Sequence, residues 1–385
     1  MKHIKLFVLL IGCASVLAGC SNPSLKRVSS DYPISRLEYI GETIVGHDAR
    51  FDGTPIGGLS GIDYDPMSRE YVSISDDRAE RGPARAYLGT LPLTRHHVGP
   101  FKFTAVIRLK QPDGSLYPNE KQYLRFHKGA VPDLESIRFN PNNHTLRYTS
   151  EGDRNLGLNP FIRDALLNGR YLDSLKVPVS FKLDPSHPSW GFNDNLALEG
   201  SSFTRNGRYY FASMEAPLKQ DGPVPSLKHG AFSRVLKYDN TGHLVGEYVY
   251  PVDPLPAKPG PGKHADNGVS EMLAIDQHHL LFLERSGIQD AKGHYHDYIR
   301  IYQVSLKGAT NVAGRERLIP GTYQPVQKQL LLNLNTLHLP KLDNVEGITF
   351  GPRLANGQQT LVLISDNNFN RSEITQIIAF AVVTH

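Results

Sequence analysis

Asn344-Val345-Glu346-Gly347-Ile348-Thr349-Phe350, followed by Leu361-Val362-Leu363-Ile364-Ser365-Asp366-Asn367, is the clearest copy of a unit that recurs about five times along the chain. Each unit has an acidic or small residue, then Gly or Ser, then a short apolar strand. After a turn comes a second apolar strand that ends on Asp or Glu. The copies begin near Ser60-Gly61, Glu135-Ser136, Glu199-Gly200, Ser270-Glu271 and Glu346-Gly347, and their second strands end at Asp76-Asp77, Glu151, Glu215, Glu284 and Asp366. Starts 64 to 76 residues apart leave room for one four-stranded sheet plus a loop. A repeat of this length in an all-β chain predicts a β-propeller of five four-stranded blades.

Working outward, the last copy is short of one strand. After Gly347 there is room for Ile348–Phe350, Thr360–Ser365 and Ile374–Val383 only. Ser35 to Val45 alternates apolar and polar residues and stands alone before the first copy. That N-terminal strand is expected to complete the final blade, which removes an exposed sheet edge. Blade one reads as 61–64, 71–75, 86–91 and 102–109. Blade two reads as 136–139, 145–149, an irregular 160–171 and 179–183, with one short helix over 161–172. Blade three reads as 200–203, 208–213, 233–238 and 246–251, and blade four as 272–275, 279–284, 298–304 and 329–334. A sixth blade built from 111–132 and 184–195 stays open at this level. The proline-rich run from Pro251 to Gly268 reads as an exposed loop.

The 385 residues carry 34 Gly and 27 Pro, as many short strands and turns require, and 39% hydrophobic residues, enough for a core. A net charge of +4 without a Lys/Arg run speaks against nucleic acid. Residues 1–19 have the make-up of an export signal: Lys2 and Lys5, an apolar stretch from Leu6 to Leu17, then Leu17-Ala18-Gly19-Cys20. That ending resembles a bacterial lipoprotein box, which implies cleavage before Cys20, lipid on its sulfur and membrane attachment, with an ordinary secretory signal as the alternative. Ser21 favours the outer membrane. Residues 20–33 then form a lipidated tether and 34–385 the propeller domain. With Cys13 removed and Cys20 lipidated, no disulfide is available in the mature chain.

Equivalent strand ends of a propeller lie on one face. The second strands end on acids with bases soon after: Asp76-Asp77-Arg78, Glu151-Gly152-Asp153-Arg154, Glu215 with Lys219, Glu284-Arg285, and Asp366 with Arg371. The acids that open the units, Glu135, Glu199, Glu271 and Glu346, point to the central channel. Oxygen-only ligands suit a hard divalent cation such as Ca²⁺. Arginines beside them suit phosphate oxygens. The expectation is a metal held by Asp76, Asp77, Glu135, Glu151, Asp153, Glu199, Glu271, Glu284, Glu346 and Asp366. Phosphate would be held by Arg78, Arg154, Lys219 and Arg285, and a water on the metal would be the nucleophile. The same neighbours would serve equally as salt bridges between blades. Gly57-Gly58-Leu59-Ser60-Gly61 lacks the Lys and helix of a phosphate loop and reads as a tight entry to the first strand. His294 with His296, and His264 with Asp266, are minor metal candidates. No Gly-x-Ser-x-Gly elbow supports a serine hydrolase.

Taken together, Gly58-Leu59-Ser60-Gly61-Ile62 with Ile74-Ser75-Asp76-Asp77-Arg78, Leu134-Glu135-Ser136-Ile137 with Ser150-Glu151-Gly152-Asp153, Asn195 to Gly200, Gly268 to Leu273 with Leu283-Glu284-Arg285-Ser286, and Asn344-Val345-Glu346-Gly347 with Ile364 to Asn367 resemble the phytase-like family, labelled "esterase-like activity of phytase". The resemblance covers roughly residues 35–383. It implies a propeller in an exported bacterial protein and a phosphoesterase role built on the repeated acids. The calcium-dependent propeller phytases are more distant, because their metal-site sequences do not line up residue by residue. The lead expectation is a lipid-anchored, monomeric phosphoesterase acting on a small phosphorylated substrate. The alternative is a non-catalytic envelope module that binds a glycan, peptide or protein.

Overall fold

The computed structural model describes residues 32–385 and contains five four-stranded antiparallel sheets. The export signal and Cys20 lie outside the described residues. Four blades run in chain order: Leu59–Asp65, Glu70–Ser75, Arg85–Thr90 and Lys102–Arg108; Leu134–Phe139, Leu146–Ser150, Phe161–Ala165 and Tyr171–Leu175; Leu198–Phe203, Tyr209–Met214, Ala231–Asp239 and Leu244–Val252; Gly268–Ala274, His279–Gln289, Tyr295–Ser305 and Gln327–Asn333. The fifth is Val345–Arg353, Gln359–Ser365 and Thr375–Thr384, closed on the outside by Ile34–Val45. The first strand of each blade packs on the first strands of its neighbours, and the fifth meets the first, so the ring closes.

Apolar side chains fill the gaps between blades. Leu281, Ile299, Ile348, Leu363 and Ile378 share one such gap, and Val72, Ile74, Ile137 and Tyr148 another. A blade strand is therefore covered on both faces, which is why Leu361–Ile364 and Leu280–Leu283 read as unbroken apolar runs rather than as alternation.

Two sequence expectations need correction, and the structure decides the blade count left open by the sequence. Residues 161–172 form no helix; they make two strands, Phe161–Ala165 and Tyr171–Leu175, around a turn at Gly169 with φ 80°. Tyr171–Leu175 is the outer strand of blade two, and 179–183 holds only a 3₁₀ turn, Val179–Phe181. No sixth blade exists among the described residues. Residues 111–132 carry the helix Glu120–Phe126, started by Asn119, whose side chain accepts from the Gln122 N–H while Gln122 returns the bond.

The axis is sealed from within. Arg138, fully buried on the inner strand of blade two, donates to the carbonyls of Ile62, Ser201, Met272 and Ile348 at 2.7–3.0 Å, one in each of the other four blades. Its charge is met by Glu271 at 2.7 Å.

Candidate active site at the axial mouth

Every inner strand carries the same irregularity near its start. The ladder to the second strand skips between Leu59 and Gly61, Leu134 and Ile137, Leu198 and Ser201, Val269 and Glu271, and Val345 and Gly347. These are β-bulges, which free a residue from pairing and re-aim its side chain. The freed residues are Ser60, Glu135, Glu199, Ser270 and Glu346, with Ser136 and Gly200 beside the second and third. A glycine follows in three blades, at Gly61, Gly200 and Gly347, because neighbouring strands crowd the axis. A Cβ on Gly61 would stand 2.6 Å from the Glu135 carbonyl, and one on Gly200 2.7 Å from the Met272 nitrogen.

The second strand delivers the next tier. Leu59 faces Ser75, Leu134 faces Ser150, Leu198 faces Met214, Val269 faces Glu284 and Val345 faces Ser365. The residue after each is Asp76, Glu151, Glu215, Arg285 and Asp366. Blade four thus places an arginine where the other four blades place an acid. Asp76, Glu151, Glu215 and Asp366 each donate a backbone N–H to the segment leading into the inner strand, at the carbonyls of Gly58, Asp133, Ala197 and Asn344.

The two tiers meet at one end of the channel. Carboxylate oxygens of Asp76, Asp133 and Glu135 lie within 4.8 Å of one another, and so do those of Glu135, Glu151 and Glu199. Glu135 belongs to both groups. Burial is the main force on their titration, with like charges next. It holds Asp76, Glu135, Glu151, Glu199 and Asp366 well above the usual carboxylate range. Burial also raises Glu215 to about 8, against the pull of Arg285. Asp133 rises to about 6, because Arg78, 2.5 Å away, offsets only part of its burial. Acids so close must share protons or a cation. The donor set fits a hard divalent ion: it is all oxygen, and buried Asp76 Oδ1 has no hydrogen-bond partner among the described residues.

Two guanidiniums border the mouth. Arg285 reaches Glu215 at 3.3 Å and Glu346 at 3.6 Å, and its side chain is 17% exposed. Arg78 spans Asp133 and Asp153 and is 30% exposed. Arg78 and Ala79 both have positive φ, 51° and 57°, a strained turn that carries the arginine back over the acids.

Other expected site residues lie elsewhere. Asp77 is held by buried Arg85. Glu284 accepts from Tyr250 at 2.7 Å and Lys328 at 2.5 Å, between blades three and four. Glu271 is the partner of Arg138 and accepts the Ser201 N–H at 2.7 Å. Asp153 is tied to Arg78 and to the Leu156 N–H at the edge of the site. Arg154 donates to the carbonyls of Pro188, Trp190 and Phe192, pinning the loop before blade three. Lys219 is exposed, and its side chain has no partner among the described residues. His294 and His296 flank Asp290 on an exposed hairpin, and His264 pairs with Asp266 at 2.8 Å. The sequence reading missed Asp133 as a member of the cluster. Its signal was its place two residues before Glu135, opposite Glu151.

The family description "Esterase-like activity of phytase" matches residues 54–369. The chain belongs to the phytase-like family. The match spans all five inner strands and both tiers. No curated protein matches the chain. Among solved structures it is similar to the catalytic domain of a GH62 α-L-arabinofuranosidase from Coprinopsis cinerea, with TM-score 0.43, 10% identity, and 91% of this chain and 98% of that one covered. It is also similar to a structure described for GH130 enzymes that target β-1,2-mannosidic linkages in Candida mannan, with TM-score 0.41, 10% identity, and 91% and 95% covered. Likeness at this level bears on neither chemistry nor substrate.

Proposed function

We propose that the axial mouth is a metal-assisted phosphoesterase site taking a small phosphorylated substrate. One observation carries this reading: carboxylates from blades one, two, three and five converge at the mouth, and in blade four the same strand position holds Arg285. Asp76, Asp133 and Glu135, and Glu135, Glu151 and Glu199, would hold a divalent cation, for which Ca²⁺ suits the all-oxygen set. When bound, such an ion polarises a phosphoryl oxygen and makes water more acidic.

The chain supplies the remainder. Arg285 and Arg78, partly exposed at the border, present paired N–H donors to phosphate oxygens. Glu215 stands outside both triads and accepts from Arg285 at 3.3 Å, so it would orient that guanidinium at the border of the site. The sealed axis behind the cluster, with Arg138 across it, keeps bulk water from entering from the other side. We read the protein as a monomer held in the cell envelope through lipid on Cys20.

The test is hydrolysis of a panel of phosphomonoesters and diesters with Ca²⁺ and with EDTA. The reading expects Ca²⁺-dependent turnover that falls about 10²-fold in Arg285→Gln, the scale for losing one charge-stabilising donor. A Ca²⁺-induced rise in melting temperature without turnover on any ester would leave the cluster a structural cation site and end the enzymatic reading.

A further inference from the structure

A deep concavity of the propeller lies on the face opposite the carboxylate cluster. It is a funnel of about 870 Å³, formed where the inner strands end and their hairpins turn, with Arg138 and Asp63 in its lining. Ligand pockets of small organic molecules have this size, with mostly apolar walls and a few convergent polar groups. Here Phe139, Phe203, Leu273 and Phe350 line the wall, with Arg69 and Arg205 from hairpin turns of blades one and three and Arg353 from the end of the inner strand of blade five.

The free hydrogen-bonding capacity of the funnel is cationic. Asp63 is committed to the Phe139 N–H at 2.9 Å and the Thr349 hydroxyl at 2.8 Å. Asp65 accepts from the Met67 and Ser68 N–H groups at 3.0 and 3.1 Å, and lies 3.8 Å from His144. The arginines are nearly uncommitted. Arg69 has no side-chain partner among the described residues. Arg205 gives one bond to Gln359 at 2.9 Å, and Arg353 one to the Gly357 carbonyl at 2.8 Å. A guanidinium has five N–H donors, so most remain free above an apolar wall.

We propose that this funnel binds an amphipathic anion, with its apolar body against the wall and its carboxylate or phosphate head among Arg69, Arg205 and Arg353. This site is separate from the acidic mouth, with Arg138 between them, and does not depend on the enzymatic reading.

The experiment is calorimetric titration of the full chain in EDTA with octyl phosphate, octanoate and inorganic phosphate, below micelle-forming concentrations. Both amphiphiles are expected to saturate one site, with inorganic phosphate at least tenfold weaker. The triple variant Arg69→Gln, Arg205→Gln, Arg353→Gln should bind octyl phosphate at least tenfold more weakly, while Arg317→Gln, an exposed arginine elsewhere, should bind it unchanged. Equal affinity for inorganic phosphate, an equal loss in Arg317→Gln, or no saturable binding would overturn the proposal. Sedimentation with phosphatidylglycerol and phosphatidylcholine vesicles identifies the source. Preference for phosphatidylglycerol that the triple variant loses assigns a lipid headgroup; titration binding without that preference assigns a free amphiphile.

Discussion

Glu199 and Arg138 show how differently two buried charges act in this ring. Glu199 lies among other carboxylates, and removing its charge relieves repulsion while it also removes a cation ligand. Glu199→Gln should therefore melt higher than the native protein in EDTA and lower than it in saturating Ca²⁺. Thermal melts of both proteins in both media would show the lines crossing. The reversal follows from linkage: a ligand at 100 times its Kd stabilises by about 2.7 kcal/mol, and the variant forfeits part of this. Arg138 is different, because every one of its contacts is met. Arg138→Met leaves Glu271 buried and unpaired, a loss of about 3–5 kcal/mol. Adding Glu271→Gln should return part of that loss, measured by denaturant unfolding of the single and double variants.

Strand register explains which acids were readable. A residue's side chain alternates faces along a strand, so a shift of one position moves it from the mouth to the gap between blades. Blade four's second strand ends Leu283-Glu284-Arg285. Aligned by acidic character, Glu284 takes the place of Glu151; by pairing, Arg285 does, and Glu284 faces Tyr250 and Lys328. Glu271 has the same ambiguity with Ser270. Composition favours the wrong partner in both cases, and only the ladder settles it. The bulge glycines give an element-level prediction. Gly61→Val places a branched side chain 2.6 Å or less from the Glu135 carbonyl and should cost more than about 2 kcal/mol. It should also weaken Ca²⁺ binding, since the added side chain pushes on the backbone that carries Glu135. Denaturant unfolding and a Ca²⁺ titration would measure the two effects.

At the scale of the whole ring, pH and closure are the measurable properties. Asp133 and Glu215 bind protons more tightly in the fold than in the unfolded chain, with values raised by burial to about 6 and about 8. Folding then takes up protons, so their contribution is complete below pH 4 and is lost as pH rises to 8, at about 1.4 kcal/mol per pH unit for each proton. In EDTA the melting temperature should fall from pH 5 to pH 8. Saturating Ca²⁺ should flatten or reverse that slope, because the cation takes the place of the protons. Closure rests on Ile34–Val45, which pairs with Thr375–Thr384 along its length. Removing residues 34–45 opens a sheet edge that holds buried Phe380 and Val382. The expected outcome is a broad, less cooperative melt and aggregation, read by calorimetry and light scattering.

The sequence alone determined the propeller class, its five repeat units, most of the strands, the turns and the borrowed closing strand, while the structure decided against a sixth blade among the described residues. Those features rest on local period, on Gly and Pro placement and on a repeat unit, all of which are written in short stretches of chain. Tertiary structure decided which charges share the mouth, that Asp133 joins them, that Arg285 is the cation among them, and that Arg138 locks the axis. These depend on bulges and on pairing between segments more than 100 residues apart, where one position of register changes the face a side chain meets.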